Sequence, residues 1–565
     1  MRALVMCSIL IAALLVPIAG ASASHRGEID SQWAPLSDST HHPIIDSYSP
    51  SIQASITFHS DVSHYTDEQL ASVGEWIVFS KHPLGVPAEA LYGAQVVTLE
   101  ASEAASTLAN WQTSGLIEAA YPLIERSMEP RWTPNDAKFN EQWHLVNSGQ
   151  TGGISGEDVN ITGAWNSYKG AGVVIGIVDD GLDWNHPDIF TDYDSSLDYD
   201  FCNNDGDPTP TSNNAHGTAA GGVAAATGNN GIGVTGAAPE ATLVGLQLIS
   251  CSTTDVRESD TLGHERQSID IYSNSWGPSD NGETLSGPGP LMLAALEADA
   301  LQGRNGNGNI ITWAAGNGLD DNDNSNYDGY ANLRYTIAVT AVDHKGRQSY
   351  YAEPGANILV ASPSNGDGES ITTTDIEGSG GYSSSDYTST FGGTSSATPL
   401  VSGIIALMFE ANANLTWRDV QHILVETSRK NHANDLSWST NGAGHLVSHK
   451  YGYGVIDAGA AVAASVNWTT SEEEISFTSG TIQTDLDIPD NTGEIVYSNT
   501  TVTDAIQIEN IDVIVDLPHT FRGDMNLTLT SPSGTRSILA EKHGDGGNNF
   551  NNWRFGTVHH CGEDS

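Results

Sequence analysis

The sequence predicts an α/β domain built on a parallel sheet with helices on both faces, set between a small α+β unit and a β-sandwich. Three features predict it. Gly172-Val173-Val174-Ile175-Gly176-Ile177-Val178 is a continuous apolar run and Ile310-Ile311-Thr312-Trp313-Ala314-Ala315 a largely apolar one, followed by Asp179 and by Gly316-Asn317. Such runs suit parallel strands buried on both faces, and open α/β sheets place their sites at the strands' C-terminal ends. Phe391-Gly392-Gly393-Thr394-Ser395-Ser396-Ala397-Thr398-Pro399 hands over to an apolar run at 400–408, read as a buried helix with Pro399 in its first turn. Beyond about residue 470 the pattern alternates, as in Ile506-Gln507-Ile508-Glu509 and Met525-Asn526-Leu527-Thr528-Leu529-Thr530, the mark of half-buried antiparallel strands.

In chain order, Met1-Arg2, an apolar core and Ala21-Ser22-Ala23 make a secretory leader over residues 1–23, which directs the protein to the secretory pathway, the periplasm or the outside. No later run is expected to cross a bilayer. Residues 24–131 form the α+β unit. Ser55-Ile56-Thr57-Phe58-His59 and Ala94-Gln95-Val96-Val97-Thr98-Leu99 read there as strands, and Asp67-Glu68-Gln69-Leu70-Ala71 as the start of a helix. The α/β domain spans 132–470 and the sandwich 471–565. After removal of the leader only Cys202, Cys251 and Cys561 remain, too few for a disulfide scaffold, although Cys202 and Cys251 lie in one domain and can pair. With 70 acidic and 21 basic side chains the formal charge is −49, which excludes nucleic acid and anionic membranes as partners and favours cations and basic peptides. A solvated acidic coat accounts for most of that charge.

Four stretches carry chemistry. A serine at a helix mouth lies near unpaired N–H groups and the positive end of the helix dipole, where an oxyanion is stabilised. Taken alone, the Gly392–Ser396 segment is as well explained as a loop capping a core helix. Asp179 ends the first buried strand, and His216 opens a helix of small residues. Asp179, His216 and Ser395 follow one of the known chain orders of a Ser-His-Asp triad. Asn317, at the end of the strand at 310–315, offers an amide to an oxyanion.

With Val178-Asp179-Asp180-Gly181, Asn185-His186-Pro187-Asp188, His216-Gly217-Thr218, Ser273-Asn274-Ser275-Trp276-Gly277-Pro278, Gly316-Asn317-Gly318 and Gly393-Thr394-Ser395, the chain resembles subtilisin-like serine proteases of the kexin/furin proprotein-convertase family. The resemblance implies a subtilisin-like parallel sheet, an inhibitory propeptide over 24–131, and a C-terminal P domain that is incomplete at residue 565. It implies a secreted serine endopeptidase whose partners are protein substrates with basic cleavage sites and its own propeptide. The family's paired-basic junction is missing, since the candidates Arg126 and Arg131 follow Glu125 and Pro130.

It implies catalytic roles for Asp179, His216, Ser395 and Asn317, and a substrate cleft of Ser275, Trp276 and Gly277. Asp280 and Asp328 would bind the arginine before the scissile bond, Asp180 the residue before it, and Glu258 a basic residue further upstream. Where the family has an acid before the histidine this chain has Asn213 and Asn214, and Ser286 replaces a further acid, so the demand for a second basic residue is loosened. Calcium is the implied cofactor. One set comprises Asp136, Asp188 and Asn230 with carbonyls of Thr227, Ile232 and Val234, and a second Asp280, Asp323 and Glu353. Asp200, Asp205 and Asp207, whose spacing alone looks like a calcium loop, form a third. For any single acid a solvated loop charge is the plain alternative. Rival readings are a degradative protease of broad specificity and a catalytically silent binding protein, which would most readily have lost a triad or oxyanion residue.

Overall fold

The computed structural model describes residues 44–62, 65, 67–124, 132–211, 213–484, 487–488 and 495–565. The leader and the junction candidates Arg126 and Arg131 lie outside them. Residues 44–124 belong to one compact unit and 132–565 to a second.

In the first unit α1 (Pro50–Ser60), α2 (Asp67–Ser72) and α3 (Ala101–Thr113) accompany an antiparallel sheet of order β2-β3-β1-β4, formed by β1 (Glu75–Phe79), β2 (Ala88–Leu91), β3 (Ala94–Thr98) and β4 (Ala119–Pro122). Trp76, Val78, Val97 and Leu108 centre its core. The expected strand at 55–59 is instead part of α1. Pro50 at the first helical position presets the backbone for a helix, and burial of Ile56 on one face outweighs the local β propensity.

The second unit is built on a seven-stranded sheet whose neighbours all run parallel, in the order β11-β10-β9-β8-β5-β7-β6. The strands are β5 (Val174–Asp179), β6 (Tyr199–Asp200), β7 (Thr242–Gln247), β8 (Ile271–Asn274), β9 (Ile310–Ala314), β10 (Thr336–Val342) and β11 (Ile358–Pro363). Alternate side chains divide the apolar residues between two faces. Ile175, Ile177, Ile271, Ile310 and Val339 pack with α4 (His216–Ala225), α7 (Thr394–Ala411), α8 (Trp417–Thr427) and α9 (Ala458–Ser465). Val178, Tyr272, Ile311 and Trp313 pack with α5 (Asp255–Leu262) and α6 (Pro290–Gln302). Strand β5 sits between β7 and β8, where the order of connection reverses, so Asp179 at its end stands at the switch point that open sheets use for ligands.

A hairpin of β12 (Ile371–Thr374) and β13 (Tyr387–Phe391) leads into α7, and β14 (Trp438–Thr440) pairs with β15 (Leu446–Ser448). By length and composition α7 is the one helix among the described residues able to cross a membrane, but it is buried within the protein, as a core helix is. In the C-terminal sandwich β16 (Ile511–Leu517) pairs with β19 (Phe550–Thr557), and β17 (Leu527–Thr530) with β18 (Arg536–Ala540). Its core of Met525, Leu539, Phe550 and Phe555 is continuous with Tyr327 and Ala356 of the α/β domain. Cys202 and Cys251 form a disulfide, and Cys561 is free and buried.

Candidate active site

Three chain elements bring Asp179, His216 and Ser395 to one end of the sheet. Helix α4 packs against the end of β5 because Gly217 has no side chain: a Cβ there would lie 2.1 Å from the Gly181 carbonyl and 2.8 Å from Asp179 Cβ. His216, the first residue of α4, then places Nδ1 2.9 and 3.0 Å from the two oxygens of the buried Asp179 carboxylate. A carboxylate on Nδ1 holds the proton there and leaves Nε2 as the base. Burial works against charge on the ring, but the charge and hydrogen bond of Asp179, with the charge of Asp180 behind them, raise the His216 pKa above the ordinary imidazole value. Phe391 packs edge-on against the ring at 5.4 Å between centroids, which brings the histidine to the segment leading into Ser395.

Gly393, at φ +75°, makes the turn into α7, and Ser395 follows in the first helical turn. Its N–H has no partner among the described residues. Its hydroxyl donates to the Ser275 carbonyl at 3.2 Å and makes no hydrogen bond to His216. Ser396 is fully buried and bonded to Ser364 at 2.7 Å, so Ser395 is the accessible one of the two serines. Pro399 lies in the second turn, not the first, because the helix already begins at Thr394. Without an N–H, Pro399 leaves the Ser395 carbonyl unclaimed, and the Ser275 hydroxyl donates to it at 3.1 Å. Ser275 is thereby tied to Ser395 through both backbone and side chain, a role that the sequence signals only through Pro399.

Asn317 accepts from the Thr394 N–H at 2.8 Å and the Thr394 hydroxyl at 3.1 Å, while its own N–H and Nδ2 donate to Asp280 at 2.9 and 3.3 Å. Its amide thus lies beside Ser395 with one donor spent on Asp280. Asp180 accepts from the N–H groups of His216 (3.3 Å) and Gly217 (2.9 Å), so the carboxylate expected in the substrate cleft holds the first turn of α4. Burial and then the charge of Asp179 push its pKa up to about 7.

Asp328 accepts from the Tyr330 N–H at 2.7 Å through Oδ1, and its Oδ2 lies against Gly277, 2.8 Å from where a Cβ would stand. Burial drives its pKa up to about 8, with smaller contributions from the charges of Asp280 and Asp323. Trp276 packs on Trp313 and Tyr330, and the Tyr330 hydroxyl donates to Glu258 at 2.9 Å, so Glu258 and Asp328 hold the same tyrosine residue.

Of the three calcium sets, the first fits a hard cation. Asp136 and Asp188 are buried, neither has an ion pair among the described residues, and Asn230 bridges them, donating from N to Asp136 (3.1 Å) and from Nδ2 to Asp188 (2.8 Å). Burial above all, and also the charge of Asp188, raises the Asp136 pKa. The Thr227, Ile232 and Val234 carbonyls accept no hydrogen bond among the described residues. In the second set Asp323 and Glu353 are buried neighbours that accept from Gly282 N and Gly318 N, each at 2.8 Å. No group of three His, Cys, Asp or Glu side chains among the described residues is gathered to hold an ion. In the third set Asp200 accepts from Cys202 N and Asn203 N, Asp205 from Asp207 N, and Asp207 from Thr209, so each carboxylate also braces its own loop.

Residues 170–454 match the subtilase family, and residues 508–565 the proprotein convertase P-domain. The chain is 39% identical over 454 residues to neuroendocrine convertase 2 of Homo sapiens, an alignment covering 76% of this chain and 69% of that one. It is 39% identical over 447 residues to furin of Homo sapiens, covering 76% of this chain and 54% of furin. The solved structure of the serine protease of Aeromonas sobria superposes with a TM-score of 0.69 at 26% identity, covering 78% of this chain and 88% of that one.

Proposed function

The chain belongs to the subtilase family, as a serine endopeptidase with a subtilisin-like sheet and a P domain, and on that premise we propose that it is a secreted, calcium-dependent processing protease that cleaves proproteins after arginine. The observation that carries the arginine reading is Asp328, a largely buried carboxylate with one oxygen turned to Gly277, Asp280 nearby and no ion pair among the described residues. A guanidinium seated there supplies the missing charge and hydrogen bonds, whereas a neutral side chain leaves the acids unpaired.

In the reaction Ser395 Oγ turns from the Ser275 carbonyl toward His216, gives its proton to Nε2 and attacks the scissile carbonyl carbon. Catalytic hydrogen bonds are often loose until substrate arrives. The Ser395 N–H and Asn317 Nδ2 donate to the developing oxyanion, a side-chain donor of this kind contributing about 3 kcal/mol. Collapse expels the amine, which takes the proton from His216, and water cleaves the acyl-enzyme by the same steps in reverse. Asp179 stabilises the imidazolium throughout.

Calcium belongs to the Asp136–Asp188 set, where free carbonyls and two buried carboxylates supply oxygen ligands; its chemistry is structural, neutralising charge and tying the start of the domain to the loop at 227–234. Secretion accords with the leader and with the Cys202–Cys251 disulfide, a bond that persists in oxidising compartments. Residues 24–131 act as the propeptide and inhibitor. The test is the cleavage-site profile on a mixed peptide library: arginine should dominate the position before the cut, lysine should follow, and the position before that should vary. A profile led by apolar residues would instead make the enzyme degradative.

A further inference from the structure

The loop that carries Asp328 is bracketed by two buried asparagines whose side chains are satisfied largely from the P domain. Asn326 Nδ2 donates to the Gly556 carbonyl at 3.1 Å, and its Oδ1 accepts from the Gly556 N–H at 2.8 Å. Asn332 Oδ1 accepts from Arg554 Nη2 at 3.0 Å and Nε at 3.3 Å, and its Nδ2 donates to the Arg554 carbonyl at 2.8 Å. Both side chains are essentially without solvent contact, so each would be left with unmet hydrogen bonds if strand β19 moved away.

Between them the backbone is held from the same strand. Trp553 Nε1 donates to the Asn326 carbonyl at 3.1 Å, and Arg554 Nη2 to the Gly329 carbonyl at 3.0 Å. The peptide on either side of Asp328 also pairs with Ser286, the Gly329 N–H lying 2.8 Å from its carbonyl. Asp328 therefore sits in an extended segment, with Oδ1 held by the Tyr330 N–H and Oδ2, beside Gly277, accepting no hydrogen bond among the described residues.

We infer that β19 of the P domain, through Trp553, Arg554 and Gly556, is a positioning element for Asp328, the carboxylate facing the residue before the cleaved bond, so that the P domain sets selectivity for a basic residue there. The inference rests on Asp328 being the acid that binds arginine. A carboxylate must meet a planar guanidinium within a few tenths of an ångström to bind it in two places, so a loop that relaxes loses selectivity before it loses catalysis.

The test uses the full chain and two conservative variants. Arg554→Lys keeps the positive charge beside Asp512 but loses the fork onto Asn332 and Gly329; Trp553→Phe keeps the ring and loses the N–H. Each is assayed on two peptides that differ only in arginine or norleucine before the scissile bond, with inhibition by benzamidine as a readout independent of turnover. Either variant should lower the arginine-to-norleucine ratio of kcat/KM by about tenfold, chiefly through KM of the arginyl peptide, and weaken benzamidine similarly, while the norleucyl peptide is cleaved within about twofold of the wild-type rate. A parallel fall on both peptides, or no change in either variant, would overturn the inference. Asp328→Asn run alongside separates the two readings. If wild type prefers arginine and Asp328→Asn abolishes that preference while both β19 variants keep it, only the positioning role fails. If wild type shows no preference, the arginine assignment fails and takes this inference with it.

Discussion

Asp179 divides its carboxylate between His216 Nδ1 and the N–H of Asp180, which it accepts at 2.8 Å. In the proposed mechanism the base is neutral imidazole, so activity should be present above the His216 pKa and lost as pH falls through it. With that pKa raised, the acid limb of kcat/KM should lie above about pH 6.5. Asp179→Asn removes the larger of the two influences that raise it and leaves the charge of Asp180 against the burial that lowers it. The midpoint should move down while the rate falls on the order of 10⁴-fold. An unmoved midpoint in the variant's pH–rate profile would mean that another group titrates. The two serines separate as cleanly: Ser395→Ala should abolish labelling by a fluorophosphonate, whereas Ser396→Ala loses its bond to Ser364, costs about 1 kcal/mol of stability and keeps most activity.

Helix α4 is where element packing becomes chemistry, since its first turn must touch the end of β5. Gly217→Ala would set a methyl 2.1 Å from a backbone carbonyl that has nowhere to go, so the whole helix must shift and take His216 with it. A fall in kcat/KM of about a hundredfold or more is expected, and activity within tenfold of wild type would show that the helix slides freely. The elements most legible in the sequence are those whose signal is long: β5, β9 and α7 are largely apolar runs, and Asp179, Asn317 and Ser395 lie at or near their ends. What was illegible depends on partners distant in sequence. Asp180 looks like a free acid until α4, 36 residues on, presents two N–H groups to it. The spacing of Asp200, Asp205 and Asp207 is legible as a calcium loop, but not the amides of their own turn that each carboxylate accepts from. The stretch at 55–59 looked like a strand because the proline starting its helix lies outside that short window.

At the scale of the whole molecule a formal charge of −49 means that folding gathers carboxylates against their repulsion, and the buried Asp136–Asp188 pair is where the proposed calcium would relieve it. Excess chelator should therefore lower the Tm of the wild-type protein, and Asp188→Asn should blunt that response; an unchanged Tm in excess chelator would sink the calcium reading. Acid acts at a different place, the seam between the α/β domain and the P domain. His559 is buried there, with its Nε2 unpartnered among the described residues and Asn441 donating to its carbonyl. Burial, with the neighbouring charges of His449 and His560, depresses its pKa to about 3. In the unfolded chain the same ring takes a proton near pH 6.5, so acidification favours unfolding from there downward until the folded pKa is reached. At pH 5 that difference is on the order of 2 kcal/mol for this one group. His559→Asn retains a side-chain donor and does not titrate. Denaturant unfolding in saturating calcium should then show wild type losing stability between pH 7.5 and pH 5, and the variant losing about 2 kcal/mol less. Equal losses would place the acid sensitivity elsewhere in the chain.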